Sequence, residues 1–155
     1  MSTPFYLLDT TVLVHLVRDA DLGKRIDNAF GLRQAPRRPA ICIVTHGEAW
    51  TVAERLGWKD KKKAALAKAL DEVVTIDIHD EKIIQSYVEI WNHLRNHPTG
   101  SKTNIGENDR WIAAVTRVAG AKLLTTDTDF QCFAPSFLDY QYITIEPDGA
   151  EGGAC

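Results

Sequence analysis

Strand-length apolar runs separated by stretches of helical period constrain this chain more than any other feature of it. The runs are Phe5–Leu8, Ala40–Val44, Val73–Ile78 and Lys122–Thr125. Strands this apolar are buried on both faces, and the helices between them supply the crossovers that parallel strands need. The pattern predicts an α/β domain, a three-layer α/β/α sandwich around a central, mainly parallel sheet of four to five strands, with the fifth expected over Tyr142–Ile145.

Helices are expected where apolar residues recur three and four apart. Val12, Leu13, Leu16 and Val17 mark the first, and Ile26, Ala29 and Phe30 a short second one before the polar loop Gln34–Pro39. His46–Leu56 is closed by Gly57, Asp60–Glu72 is rich in alanine and lysine, and Glu107–Ala119 ends at Gly120. The clearest stripe is Ile83, Ile84, Tyr87, Val88, Trp91 and Leu94, which predicts an amphipathic helix over Asp80–Arg95. Residues 1–146 read as a single domain, and the glycine-rich segment 147–155 as a tail expected to fray.

Composition excludes several classes. With 45% hydrophobic and 25% charged residues the chain is neither disordered nor fibrous. No apolar run approaches the roughly 18 residues of a membrane span, and no basic segment precedes a long apolar one at the start, so no membrane association and a cytoplasmic location are expected. Cys42, Cys132 and Cys155 are odd in number and without C-x-x-C spacing, which favours reduced thiols over a disulfide frame or structural zinc. A formal net charge of −3 gives no global attraction to nucleic acid, although it permits a local basic surface.

Chemistry is concentrated where strands end and helices begin. Asp9 follows the first strand, Glu48 falls in the first turn after the second, Asp109 heads the helix after Gly106, and Asp127 follows the fourth strand. Each also has a local explanation. Asp9 suits an N-cap, Thr45 with Glu48 and Asn104 with Glu107 fit capping boxes, and Asp127 and Asp129 suit turns. Those explanations leave open why so many carboxylates fall on one edge of one sheet, the edge where open α/β sheets bind ligands. Carboxylates packed together repel and are driven towards protonation unless a cation lies among them, and a hard divalent ion with a partial water shell meets that need.

Other chemistries are poorly supported. His93 and His97 have the spacing of H-E-x-x-H but no glutamate between them, and a favourable position at a helix C-terminus explains them better. "TGSKT" lacks the full phosphate-loop pattern, and no serine sits in a G-x-S-x-G elbow. A haloacid-dehalogenase phosphatase would need a second aspartate where Thr11 stands. A receiver domain would show an acidic pair beside strand one.

Taken in order, "LLDTTVL", "VTHGEAW", "NDRWIAA" and "KLLTTDTDF" resemble the PIN-domain family of metal-dependent ribonucleases, and especially its VapC-like toxins of toxin-antitoxin systems. The resemblance runs from Phe5 to about Ile145. It implies a PIN-like fold, an endoribonuclease dependent on Mg²⁺ or Mn²⁺, and Asp9, Glu48, Asp109 and Asp127 as the acidic quartet, with Asp9, Asp109 and Asp127 as the main metal ligands. Thr10 or Thr11 matches the hydroxyl residue after the first aspartate, and Asp129 a supporting position. It also implies a cognate antitoxin and a homodimer as partners. Arg37, Arg38, Lys61 and Lys62 are candidate RNA contacts, with a solvated surface as the alternative. "GEAWTVAERLGW" departs from the family's usual E-L context at Gly47 and Glu48. The competing function is a non-catalytic Mg²⁺- or RNA-binding regulatory domain, a silent PIN or a receiver-like module.

Overall fold

A computed structural model describes residues 3–18, 20–96 and 105–145. Five strands form one sheet in the order β3-β2-β1-β4-β5, every pair parallel. The strands are β1 (Tyr6–Leu8), β2 (Ala40–Cys42), β3 (Val74–Ile76), β4 (Lys122–Thr125) and β5 (Tyr140–Tyr142). Helices α1 (Thr10–Arg18), α2 (Ala20–Phe30), α3 (Ile43–Arg55), α4 (Asp60–Glu72), α5 (Glu81–Asn96) and α6 (Glu107–Ala119) make the crossovers.

Side-chain alternation on the strands divides the core into two layers. Leu7, Ala40, Cys42 and Leu123 point to one face, where they pack with Ile83, Ile90 and Leu94 of α5 and Ile112 and Val115 of α6. Leu8, Ile41 and Leu124 point to the other, against Val12 and Leu13 of α1, Ile26 of α2, Ala49 and Ala53 of α3, and Leu66 of α4. This is the three-layer sandwich expected from the apolar runs. Leu7 pairs with Ala40 on one side and Leu123 on the other, so β1 is central and its Leu7 and Leu8 side chains are fully enclosed.

Chain order along the sheet reverses at the β1/β4 boundary. From β1 the chain winds outward through β2 and β3, then returns to add β4 and β5 on the opposite side of β1. Loops leaving β1 and β4 therefore diverge to opposite faces, which opens a crevice at their carboxyl ends. Asp9 follows directly on β1, and Asp127 lies two residues beyond β4.

Several boundaries differ from expectation. α3 begins at Ile43 with Cys42 as its extended N-cap, so "IVT" is helical although its β-branched residues favour a strand. β5 lies at Tyr140–Tyr142 rather than Tyr142–Ile145, because pairing with Leu123–Thr125 fixes its register. Segment 146–155, His97 and the "TGSKT" stretch lie outside the described residues. Cys42 is buried and Cys132 half-buried, both as free thiols, and Cys155 lies outside the described residues. His93 stacks on Phe137, ring centroids 4.0 Å apart, in the last turn of α5.

Candidate active site

Asp9, Glu48, Asp109 and Asp127 line one cleft of about 690 Å³ at the carboxyl edge of the sheet, together with Thr10 and Thr11. Asp9 is the most deeply set, 3% exposed. Its backbone carbonyl accepts the first helical bond of α1, from Leu13 N–H at 3.1 Å, so it does occupy the capping position. Its carboxylate does more than cap. Oδ1 accepts from the Thr10 backbone N–H at 2.8 Å, while Oδ2 accepts from the Thr125 hydroxyl at 2.7 Å and the Thr11 hydroxyl at 3.4 Å.

Threonines link three of the four carboxylates. Thr125 Oγ1, besides donating to Asp9, accepts from the Asp127 backbone N–H at 2.9 Å, and Asp127 Oδ1 accepts from the Asp129 N–H at 2.8 Å. Thr10 Oγ1 donates to Glu48 Oε1 at 2.7 Å and lies 3.1 Å from the Thr45 hydroxyl. The expected Thr45/Glu48 capping box is thus absent: α3 starts too early for it, and both side chains turn to Thr10 instead. Asn104 of the other expected box lies outside the described residues. Gly106 caps α6, and it is Asp109, three residues on, whose carboxylate bonds back to the Gly106 N–H. Asp129 supports Asp127 through its backbone, as part of the 3₁₀ turn Thr128–Cys132.

The electrostatic cost of this gathering is visible in the carboxyls themselves. Burial raises Asp9 to about 6 against the pull of the Thr125 and Thr10 donors, with Asp127 and Glu48 adding to the rise. Asp109 is pushed up to about 7 by loss of water and then by the charges of Asp9, Asp127 and Glu48. Among the described residues no lysine or arginine forms an ion pair with any of the four. The donor set is therefore all hard oxygen with excess negative charge, which fits a divalent cation of the Mg²⁺ class. No three His, Cys, Asp or Glu among the described residues stand close enough to hold an ion directly. Mg²⁺ commonly takes one or two carboxylates and keeps several waters, and the width of the cleft suits that mode.

The basic candidates lie elsewhere. Arg37 and Arg38 precede β2 at the amino edge of the sheet, opposite the cleft; the Arg37 guanidinium sits 3.5 Å from the Phe5 ring centroid. Lys61 and Lys62 are in the first turn of α4, with Lys62 Nζ 5.1 Å from the Trp58 ring centroid. Trp58 is buried and Trp50 packs against the core, whereas Trp91 is exposed. Residues not singled out from sequence do reach the cleft: Thr125 through its bond to Asp9, and Thr51, Arg55 and Asn108 in its lining.

A parallel α/β sandwich with carboxylates gathered at the switch point of its sheet defines a class of domain built around an acidic, cation-accepting cleft. Within that class the chain belongs to the PIN-domain family, whose sequence model matches residues 6–134. Ribonuclease VapC5 of Mycobacterium tuberculosis (strain ATCC 25618 / H37Rv) is 27% identical over 126 residues, covering 80% of this chain and 84% of that relative. The fold is similar to that of VapBC2 from Rickettsia felis, crystallised bound to a DNA fragment from their promoter, with TM-score 0.72, 21% identity and coverage of 89% of this chain and 98% of that one. It is also similar to VapBC-1 from nontypeable Haemophilus influenzae, with TM-score 0.69, 23% identity and coverage of 89% and 97%. Among the described residues no helix is long and apolar enough to cross a membrane.

Proposed function

We propose that this PIN domain is a divalent-metal-dependent endoribonuclease, the toxin of a VapBC-type pair, acting in the cytoplasm. The observation that carries the reading is the gathering of Asp9, Glu48, Asp109 and Asp127 in one cleft, with no ion pair to any of them among the described residues. Likeness to Ribonuclease VapC5 supports RNA as the substrate, and likeness to VapBC complexes supports an antitoxin as partner. A homodimer belongs to the same reading.

Asp9, Asp109 and Asp127 are the residues that would hold Mg²⁺ or Mn²⁺, in part through the waters such an ion keeps. When bound, such an ion supplies Lewis acidity towards a phosphodiester and lowers the pKa of a nearby water. The protein's own groups do the rest. Thr125 and Thr10 fix both oxygens of Asp9, so this carboxylate keeps its position as charge changes around it. Glu48, anchored at Oε1 by the Thr10 hydroxyl, can accept a proton from or orient an attacking water. Asp109, raised to about 7, must release its proton before it can serve as a ligand.

The test is cleavage of structured RNA by purified protein. Cleavage with Mg²⁺ or Mn²⁺ that stops on chelation is the expected result. An RNA that binds but stays intact under all metal conditions would reject the enzyme in favour of a non-catalytic module. Co-purification with the product of an adjacent small reading frame tests the toxin assignment.

A further inference from the structure

The cleft does not end at the carboxylates. It continues along α3, where Gly47, Thr51 and Arg55 line it together with Glu48. Gly47, Thr51 and Arg55 are spaced four apart and so follow one another along a single helix face. Two of them are unusual for their positions.

Glycine inside a helix is destabilising relative to alanine, and it is normally explained by a close neighbour or a special backbone angle. Gly47 has neither. A Cβ built there would meet no atom within 4 Å, and its φ is not positive. The space above it is the cleft itself. What the missing side chain keeps open is therefore the path of something that is not part of the chain.

Arg55 ends α3, and a cation in the last turn of a helix is favourable on dipole grounds alone. That explains the charge but not its place on a cleft whose other charged lining residues are all carboxylates. Its neighbour Glu54 is taken by Lys63. Among the described residues Arg55 itself forms no hydrogen bond or ion pair within the chain. Seven residues of helix separate it from Glu48, a rise of about 10 Å. A phosphate among the carboxylates is thus distinct from one that meets the Arg55 guanidinium.

From this we infer that the Gly47–Thr51–Arg55 face of α3 is a backbone subsite for single-stranded RNA, with Arg55 pairing a phosphate adjacent to the scissile one and Gly47 leaving room for the strand to lie against the helix. Thr51, whose hydroxyl is turned back to the Gly47 carbonyl at 3.0 Å, keeps this face low and satisfies that carbonyl. Arginine is the suitable residue because its guanidinium matches phosphate bidentately. The inference rests on the ribonuclease reading for its choice of ligand. Arg55 is here a positioning residue, since it sits away from the reacting phosphate.

Two measurements test it. Binding of a fluorescently labelled single-stranded oligoribonucleotide is followed without cleavage in an Asp109→Asn background. Arg55→Gln is expected to weaken it about tenfold and to lower the slope of log affinity against log salt by about 0.7, the loss of one phosphate contact; Arg55→Lys keeps the parent salt slope but recovers only part of the affinity, because an ammonium cannot pair bidentately. In the cleavage-competent protein, Arg55→Gln raises KM for RNA far more than it lowers kcat. Gly47→Leu also raises KM, and it melts no lower than the parent. Unchanged affinity and salt slope in Arg55→Gln overturns the inference, as does an absence of any RNA binding. Failure of the ribonuclease reading itself has a different signature: the parent protein hydrolyses neither RNA nor bis(p-nitrophenyl) phosphate with Mg²⁺ or Mn²⁺, whatever stands at position 55.

Discussion

The two edges of the sheet handle charge in opposite ways. At the amino edge, a cavity of about 340 Å³ has an apolar floor that includes Leu8, Leu13 and Leu32, and its rim carries both signs. There Arg33 lies 3.5 Å from Asp27, whose carboxylate also accepts the Arg33 backbone N–H, and Arg37 stacks on Phe5. At the carboxyl edge, four carboxylates share a larger cleft with no paired cation among the described residues. At the first edge opposite charges share the rim and one pair of them meets within the fold. At the second, charge opposes the fold, and the raised Asp9 and Asp109 carboxyls are its signature. The contrast teaches that the carboxyl edge gathers like charge that the fold leaves without ion pairs, whereas the amino edge sets opposite charges side by side.

The sharpest way to break this contrast is to neutralise one acid on each wall of the cleft. Asp109→Asn and Asp9→Asn are each expected to lower RNA cleavage by roughly 100-fold or more, the scale of losing one group that stabilises transition-state charge. Asp109→Asn should not lower the melting temperature near neutral pH, because it removes repulsion; Asp9→Asn removes repulsion too but keeps only one acceptor oxygen for the Thr10 N–H and the Thr125 hydroxyl, so the two effects offset and the change should be small. Cleavage that survives in both variants would mean that the cleft is not the catalytic centre. A collapse of folding in Asp9→Asn would mean that its capping role dominates.

Proton linkage provides the second test. Both carboxyls titrate higher in the folded protein, at about 6 for Asp9 and about 7 for Asp109, than in an unfolded chain, where carboxyls titrate near 4. The folded state therefore binds more protons, and this contribution to stability is full below about pH 4 and is lost as pH rises through those two values. For the buried Asp9 the loss amounts to about 3 kcal/mol. Metal-free protein should melt several degrees lower at about pH 8 than at about pH 5, with a flatter dependence in Asp9→Asn. Added Mg²⁺ should restore the melting temperature at the higher pH and have little effect at the lower, where protons compete for the same oxygens. A melting temperature that rises across this range, with no flattening in the variant, would contradict the buried-acid account.

These outcomes also bear on what a sequence can disclose. Asp9, Asp109 and Asp127 were legible because strand ends and helix starts are announced by abrupt changes in hydrophobic period, and the sheet edge that follows is dictated by parallel topology. Glu48 was legible as an acid but not as a partner of Thr10. The T-x-x-E pattern imitates a capping box, and nothing local reveals that α3 begins at Ile43. Thr125 was missed for a similar reason: a threonine ending an apolar strand satisfies β-propensity, so its hydroxyl contact with Asp9, 116 residues away in sequence, leaves no local trace. Arg37 and Arg38 show a gap of the opposite kind. Their loop reads as basic, while the edge of the sheet it occupies follows only from the strand it precedes.

Thr125 offers a smaller and more specific perturbation. Thr125→Val preserves shape and removes the donor to Asp9 Oδ2 along with the acceptor for the Asp127 N–H. Leaving buried polar groups unpaired should cost about 1–3 kcal/mol, seen as a lower denaturation midpoint. Because this hydroxyl holds the Asp9 carboxyl down, its loss should also move the acidic limb of the pH–activity profile upward. A stability loss without that movement would make Thr125 a packing residue alone.

The weakest expected effect is at the amino edge, where the contrast is most exposed to refutation. Arg37→Gln removes a cation held over the Phe5 ring, a contact worth about 0.5–1 kcal/mol at an exposed site. The same substitution removes one positive charge from a protein whose substrate is proposed to be a polyanion, so a purely non-specific attraction would register it as a small fall in affinity. A directed cleft would not, because Arg37 and the carboxylates lie at opposite ends of strands that all run the same way. RNA affinity and cleavage that match the parent within error, alongside a small loss of thermal stability, are the outcome the two-edge account requires. A loss of RNA affinity comparable to that of Arg55→Gln would show that the strand reaches round the sheet to the amino edge.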